Sequence, residues 1–245
     1  MLRKKTVTGV ILARGGSRGL KLKNIQYLAG KPLIYYTIQA AKESGIFDNL
    51  VVSSDSAEIR AVAKSYGVKT IDRPLPLASD TATSEDAMAH ALSKLNRTDY
   101  AVLLEPTHPL LKGIHLRAAL DMLISSRKDA ILSVIEAEVP YVGSLGFSLS
   151  LRDFVPRHLR KKRRQDLESA YYIGGGVYIA KWDIMAKAGD FFDCDSIAYV
   201  LPKINRVDIN NREDLEIAEK LLKKTTNRIS RGRVIWRVIK RICIG

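Results

Sequence analysis

Short apolar segments alternating with stretches of helical period narrow the fold of this chain further than any other feature. Residues 7–13 read as an apolar strand broken only by Thr8 and Gly9. The run K-P-L-I-Y-Y-T-I-Q-A-A-K-E-S-G reads as a helix with Pro32 in its first turn and Gly45 as its C-cap. A strand at 50–53, a helix at 56–66 and a strand at 68–71 continue the rhythm. After a proline-containing loop, a helix at 85–95 opens on a capping signal, followed by a strand at 100–104, a helix at 114–125 and a strand at 130–135. This alternation predicts βαβ units around a mainly parallel sheet flanked by helices, an α/β fold. The rhythm fails over 136–172, which is expected to be an insertion of extended hairpins leaving the sheet. It resumes with a strand at 177–180, a helix at 181–188, a strand at 205–209 and a helix at 213–222 with Asn211 as N-cap. Residues 1–222 are thus expected to form the compact domain and 223–245 a separate tail.

In such sheets ligands bind outside the carboxyl ends of the strands. The junctions to search are therefore 14–24, 53–55, 105–110 and 208–210. The first is the most informative: V-I-L-A-R-G-G-S-R-G-L-K-L-K-N sets Gly15, Gly16 and Gly19 among Arg14, Arg18, Lys21 and Lys23, with no carboxylate. Glycine lets a backbone approach a ligand closely. A polyphosphate suits the arginine forks and lysine point charges, although a surface turn with solvated charges is the competing reading of such a loop taken alone. Neither G-x-x-x-x-G-K-[ST] nor G-x-G-x-x-G is present, which sets aside the usual NTPase loop and the dinucleotide fingerprint. Asp55 is expected to cap the helix that follows it.

Net charge is +14, but nine Lys and Arg with no Asp or Glu lie in 220–245, leaving +5 for the first 219 residues. A second cluster, R-H-L-R-K-K-R-R, occupies 157–164. So local an excess, without aromatic residues interleaved, argues against nucleic acid as the partner. In the tail, Ile235, Val238, Ile239 and Ile242 share one helical face and Arg233, Arg237 and Arg241 another. Such a basic amphipathic helix suits an anionic membrane surface or an acidic protein, or packs on its own domain or a dimer mate. Residues 226–245 are its extent. There is no apolar run long enough to span a bilayer and no signal-peptide cleavage site. With only Cys194 and Cys243, the chain is expected in the cytoplasm, peripheral to a membrane if the tail binds one.

The opening motif followed by L-A-G-K-P-L-I-Y-Y-T-I resembles the start of the cytidylyltransferases that make CMP-sialic acid and related CMP-activated nonulosonic acids. The resemblance continues through V-V-S-S-D, R-P-L-P-L-A-S-D-T-A-T-S, L-L-E-P-T-H-P-L, R-R-Q-D-L and R-V-D-I-N-N-R-E-D-L-E-I-A, about 7–222. It implies a Rossmann-like nucleotidyltransferase, homodimeric through a small inserted subdomain. The reaction it implies uses CTP and Mg²⁺: the anomeric hydroxyl of a 2-keto sugar acid attacks the α-phosphorus and pyrophosphate leaves. By the same resemblance Arg14, Gly16, Ser17 and Lys23, with Arg18, hold and neutralise the triphosphate, and Asn24, Arg73 and Ser84 read cytosine and ribose. Glu105 and Thr107 face the sugar, Arg164 and Gln165 match an arm reaching the partner subunit's site, and Asp208 matches the first metal aspartate. Taken alone, Asp208 would read as a turn or capping residue.

Three positions depart from the pattern. Arg18 stands where the family usually has Lys. Asn210 stands where a second metal aspartate is common; its carbonyl can ligate but brings no charge. The family's Q-P-T-S-P-L-R is here E-P-T-H-P-L-L, with Glu105, His108 and Leu111 substituted. Glu105 either selects a nonulosonic acid with different amino or amide substituents, such as a legionaminic-type sugar, or turns toward a basic side chain and leaves the substrate unchanged. The competing functions are a nucleotidyltransferase for another sugar or sugar phosphate, and a degenerate member that binds nucleotide without turnover. His108 and His115 lie near the sugar loop, where a lone histidine is more often structural.

Overall fold

A computed structural model describes residues 5–17, 19–138 and 161–230, with Arg164 and 225–230 described by backbone alone. Seven strands form one sheet: β1 (Val7–Leu12), β4 (Asn49–Ser54), β5 (Lys69–Asp72), β6 (Tyr100–Leu104), β7 (Ala130–Glu136), β8 (Tyr171–Lys181) and β9 (Ser196–Val200). A small hairpin, β2 (Tyr27–Leu28) with β3 (Lys31–Pro32), lies apart from it. The order is β5-β4-β1-β6-β8-β7-β9. All neighbours are parallel except β8, which runs antiparallel to both β6 and β7. The mainly parallel sheet expected from the sequence is present.

Alternate strand residues point to opposite faces, and both faces are covered. Ile11, Val52, Val102 and Ile131 pack with residues of α1 (Leu33–Ser44), α2 (Ala57–Ser65) and α4 (Gly113–Ser126). Their neighbours Val10, Val51, Ala101 and Ala130 pack with α3 (Ser84–Leu92) and α5 (Trp182–Ala186). Burial on both faces makes β1 and β6 almost continuously apolar, as parallel strands require. The polar exception in β1, Thr8, is fully buried and accepts a 3.1 Å hydrogen bond from the Thr98 hydroxyl. A third core joins Leu28 and Leu33 to Leu110, Ile209 and Leu215, seating α6 (Arg212–Ser230) against the loops at one end of the sheet.

Several boundaries differ from the sequence expectations. No strand forms at 205–209: Lys203–Arg206 is a 3-10 turn, and the edge beside β7 is taken by β9, which the sequence reading missed. β9 is half-exposed and follows an acidic loop, so it lacks the apolar run of a buried strand. Strand β8 begins at Tyr171, inside the expected insertion, and pairs with β7 out to Glu136. The rest of that insertion, including 139–160, lies outside the described residues. Helix α6 passes through position 222 without a break, so the described backbone shows no hinge where the tail was expected to start. Of the basic amphipathic segment at 226–245, residues 231–245 lie outside the described residues, as do the side chains of 226–230. Among the described residues no helix is long and apolar enough to cross a membrane.

Candidate active site

From β1 the chain steps outward to β4 and β5, then returns to the other side of β1 as β6. The order therefore reverses between β1 and β6, and a crevice opens beyond their carboxyl ends. Loop 13–24 leaves one strand there and loop 105–111 the other.

Backbone packing fixes the first loop. Gly15 N–H donates to Asp55 Oδ1 at 2.8 Å, and a Cβ on Gly15 would lie 2.9 Å from Ser56 Cβ. Asp55 thus braces the loop; the cap of α2 is Ser56, whose hydroxyl accepts from Ile59 N–H. A Cβ on Gly19 would lie 2.3 Å from the carbonyl oxygen of Asn210, so this glycine lets the loop meet the segment before α6. Nothing lies within 4 Å of a Cβ on Gly16, which faces open space. Asn24 is buried, and its amide donates to the Arg14 carbonyl at 2.9 Å.

The crevice is a cleft of about 300 Å³. Arg14, Gly16, Ser17, Lys23 and Asn24 line it from the first loop, Arg73 and Ser84 from the far side, and Glu105 and Thr107 from the loop after β6. Nine sequence-predicted residues from three separate stretches therefore meet in one place. Arg18 lies outside the described residues. Gln165 is exposed in the turn Arg164–Asp166 and does not line this cleft; nothing is described of the Arg164 side chain.

Charge is arranged unevenly around the cleft. Arg73 is 5% exposed and donates to Ser53 through Nε (3.1 Å to Oγ) and a terminal nitrogen (2.6 Å to the carbonyl). Burial lowers its pKa to about 10, against the pull of Asp55. Burial also lowers that of Lys23, opposed by Asp208. Lys23 Nζ donates to Asn210 Oδ1 at 3.1 Å, and Asn210 Nδ2 donates to Asp208 Oδ2 at 2.8 Å. Asn210 therefore ties the lysine to the aspartate, with its carbonyl already engaged. Among the described residues no group of three or more His, Cys, Asp and Glu is arranged to hold a metal.

The cations were expected to find their anion in a ligand, yet Arg14 finds one in the chain. Its guanidinium pairs with Asp80 at 2.9 Å and donates to the Ser79 carbonyl at 2.8 Å, spanning the cleft mouth. Asp80 and Ser79 lie in the motif R-P-L-P-L-A-S-D-T-A-T-S, but nothing in a linear reading pairs them with Arg14. His115 stands apart from the cleft lining: its Nδ1 accepts from Lys112 N–H at 3.3 Å at the start of α4.

A cytidylyltransferase family profile matches residues 8–149. An N-acylneuraminate cytidylyltransferase of Streptococcus agalactiae is 34% identical over 212 residues, covering 84% of this chain and 50% of the relative. That of Escherichia coli is 33% identical over 215 residues, covering 86% and 51%. A pseudaminic acid cytidylyltransferase of Campylobacter jejuni is 35% identical over 221 residues, covering 87% and 95%. The chain thus spans about half the length of the N-acylneuraminate relatives. Among solved structures, a CMP:2-keto-3-deoxy-manno-octonic acid synthetase complexed with CTP superposes with a TM-score of 0.66 at 15% identity, covering 90% of this chain and 99% of that one. A 4-diphosphocytidyl-2C-methyl-D-erythritol synthase from Anaerococcus prevotii gives the same score and identity, covering 90% and 97%. At that identity the two structures speak for the fold alone.

Proposed function

The chain belongs to the cytidylyltransferase family, and on that premise we propose that it transfers CMP from CTP to the anomeric hydroxyl of a nonulosonic, sialic-type acid. The observation that carries this reading is the single cleft at the β1–β6 crossover, lined by both the cationic loop and the Glu105–Thr107 segment. The hydroxyl oxygen bonds to the α-phosphorus as the hydroxyl gives its proton to solvent water. The α–β bridging bond breaks, and pyrophosphate leaves with the bonding electrons.

In such transfers a protein mostly positions groups and neutralises oxygen charge. Arg14 and Lys23, joined by Arg18, are assigned the triphosphate, with Ser17 and the open face of Gly16 beside it. Asn24, Arg73 and Ser84 are assigned cytosine and ribose. Arg73 suits this role because it is buried and held in one orientation by Ser53. Catalytic roles fall to Arg14, Arg18, Lys23 and Asp208. Mg²⁺ fits here: it asks for few protein oxygens and keeps phosphate and water ligands, and it supplies charge stabilisation when bound. Asp208 is the residue to hold it. Asn210 orients Asp208, and its side-chain carbonyl, which accepts from Lys23, would be a second, uncharged ligand through its other lone pair.

Glu105 and Thr107 are assigned the sugar. A carboxylate near an anionic sugar acid needs a donor to face, which favours a sugar with amino or amide substituents unlike those of N-acetylneuraminate, a legionaminic-type acid for example. Dimerisation, with Arg164 and Gln165 reaching a partner's cleft, and a surface contact through 226–245 belong to the same reading. The test is pyrophosphate release across nucleotides and a panel of nonulosonic acids. CTP-specific release with a member of the panel is expected; release only with a sugar 1-phosphate, or none, would overturn the reading.

A further inference from the structure

His108 follows β6, is 8% exposed and rests in a seat made for its ring. Gly175 and Gly176 have φ of +64° and +86°, a region that disfavours side chains. A Cβ on Gly175 would lie 2.1 Å from His108 Nε2 and 2.4 Å from Cε1. Ser133 pins the irregularity that puts those glycines there: its hydroxyl donates to the Gly175 carbonyl at 2.5 Å and accepts from Val177 N–H at 3.2 Å.

So seated, the imidazole presents Nε2 to two carboxylates from different segments, Glu105 Oε2 at 3.6 Å and Asp208 Oδ1 at 3.8 Å. Among the described residues its buried Nδ1 has no hydrogen-bond partner. A neutral imidazole carries its proton on one nitrogen, and with two acceptors facing Nε2 that is where the proton belongs. Both distances exceed a hydrogen bond, so a small shift of either carboxylate closes the contact. The backbones that carry these groups are joined alongside, by Ile209 N–H to the Thr107 carbonyl at 2.9 Å. From Asp208 the chain of contacts continues through Asn210 to Lys23.

We propose that His108 is a positioning residue that holds Glu105 and Asp208 toward one another through its Nε2–H. Held there, Glu105 keeps its other lone pairs for an N–H or O–H donor on the sugar, so His108 sets sugar selectivity through Glu105. The sugar in this statement rests on the function proposed above; the seat and the tautomer do not.

Two measurements separate the two ideas. A long-range ¹H–¹⁵N spectrum of the unaltered chain reads the His108 tautomer without any substrate: a proton on Nε2 is expected, and one on Nδ1 alone overturns the proposal. For turnover, His108→Ala is expected to raise KM for the sugar acid by about tenfold or more, while the Kd for CTP alone changes by less than about threefold. His108→Gln, which returns an N–H donor near the Nε2 position, is expected to recover most of the loss. Equal losses in the two variants, or an unchanged sugar KM in His108→Ala, would overturn the positioning role. A wild-type chain that turns over no sugar acid would instead overturn the functional reading and leave the spectrum to decide the seat.

Discussion

Asp80 occupies Arg14 in the way a phosphate oxygen would, and the pairing was beyond the reach of the sequence. Arg14 was readable as an anion binder because cations and glycines crowd a strand end. Its partner is 66 positions away, in a loop that a linear reading identifies only as a loop. On the function proposed above, a nucleotide phosphate competes with Asp80 for Arg14. The pair is partly exposed, with side chains 35% and 47% accessible, so it is worth no more than about 1 kcal/mol. Asp80→Asn is therefore expected to tighten CTP binding by about two- to fivefold in titration calorimetry. Weaker binding would mean that Asp80 orients Arg14 for the nucleotide rather than competing with it. Asp55 carries a similar lesson. Its position before a helix matched a capping role, but Ser56 is the cap, and the carboxylate is free to hold Gly15.

At the level of elements, two glycines separate folding from binding. Gly175 stands in β8 at positive φ against His108, so Gly175→Ala is expected to cost at least about 1–2 kcal/mol in urea unfolding. Gly16 faces open space, so Gly16→Ala is expected to stay within about 0.5 kcal/mol of the parent while weakening CTP binding. Helix α4 offers a pH test. Burial, helped by the charge of Lys112, lowers the pKa of His115 from 6.5 to about 4. An unfolded imidazole takes its proton as pH falls through 6.5, whereas the folded one waits until about 4. The unfolded state binds more protons between those values, so stability is lost as pH falls across that window, by on the order of 1–3 kcal/mol. His115→Gln keeps an acceptor for Lys112 N–H and is expected to flatten that part of the stability curve. An unchanged slope between the two values would show that other groups set it. Helix and strand periods were legible wherever an element is buried on a clear face. They failed at β9, whose edge position leaves it half-exposed, and at 205–209, where the apolar residues serve the α6 core and form no ladder.

Across the whole molecule, the cleft joins segments far apart in sequence, so a ligand there is expected to stabilise the entire domain. CTP at about one hundred times its Kd should add about 2.7 kcal/mol, a rise of about 5–10 °C in Tm for a domain of this size. ATP at the same concentration is expected to give no rise, and an equal rise would remove the assignment of Arg73 and Ser84 to the base. By itself the sequence determined the α/β class, most of the core elements and the identity of nine residues that line the cleft. The class and the elements are local properties: hydrophobic period reports which face is buried, and glycines with cations at a strand end report an anion; the roles of Ser17, Asn24, Arg73, Ser84, Glu105 and Thr107 came only from the family resemblance. Only the tertiary structure decided the antiparallel course of β8, the strand at the sheet edge, the Asp80 pairing and the seat of His108 between Glu105 and Asp208. Each of these depends on which distant backbone arrives alongside. That is set by packing the whole sheet, and no stretch of sequence carries it alone.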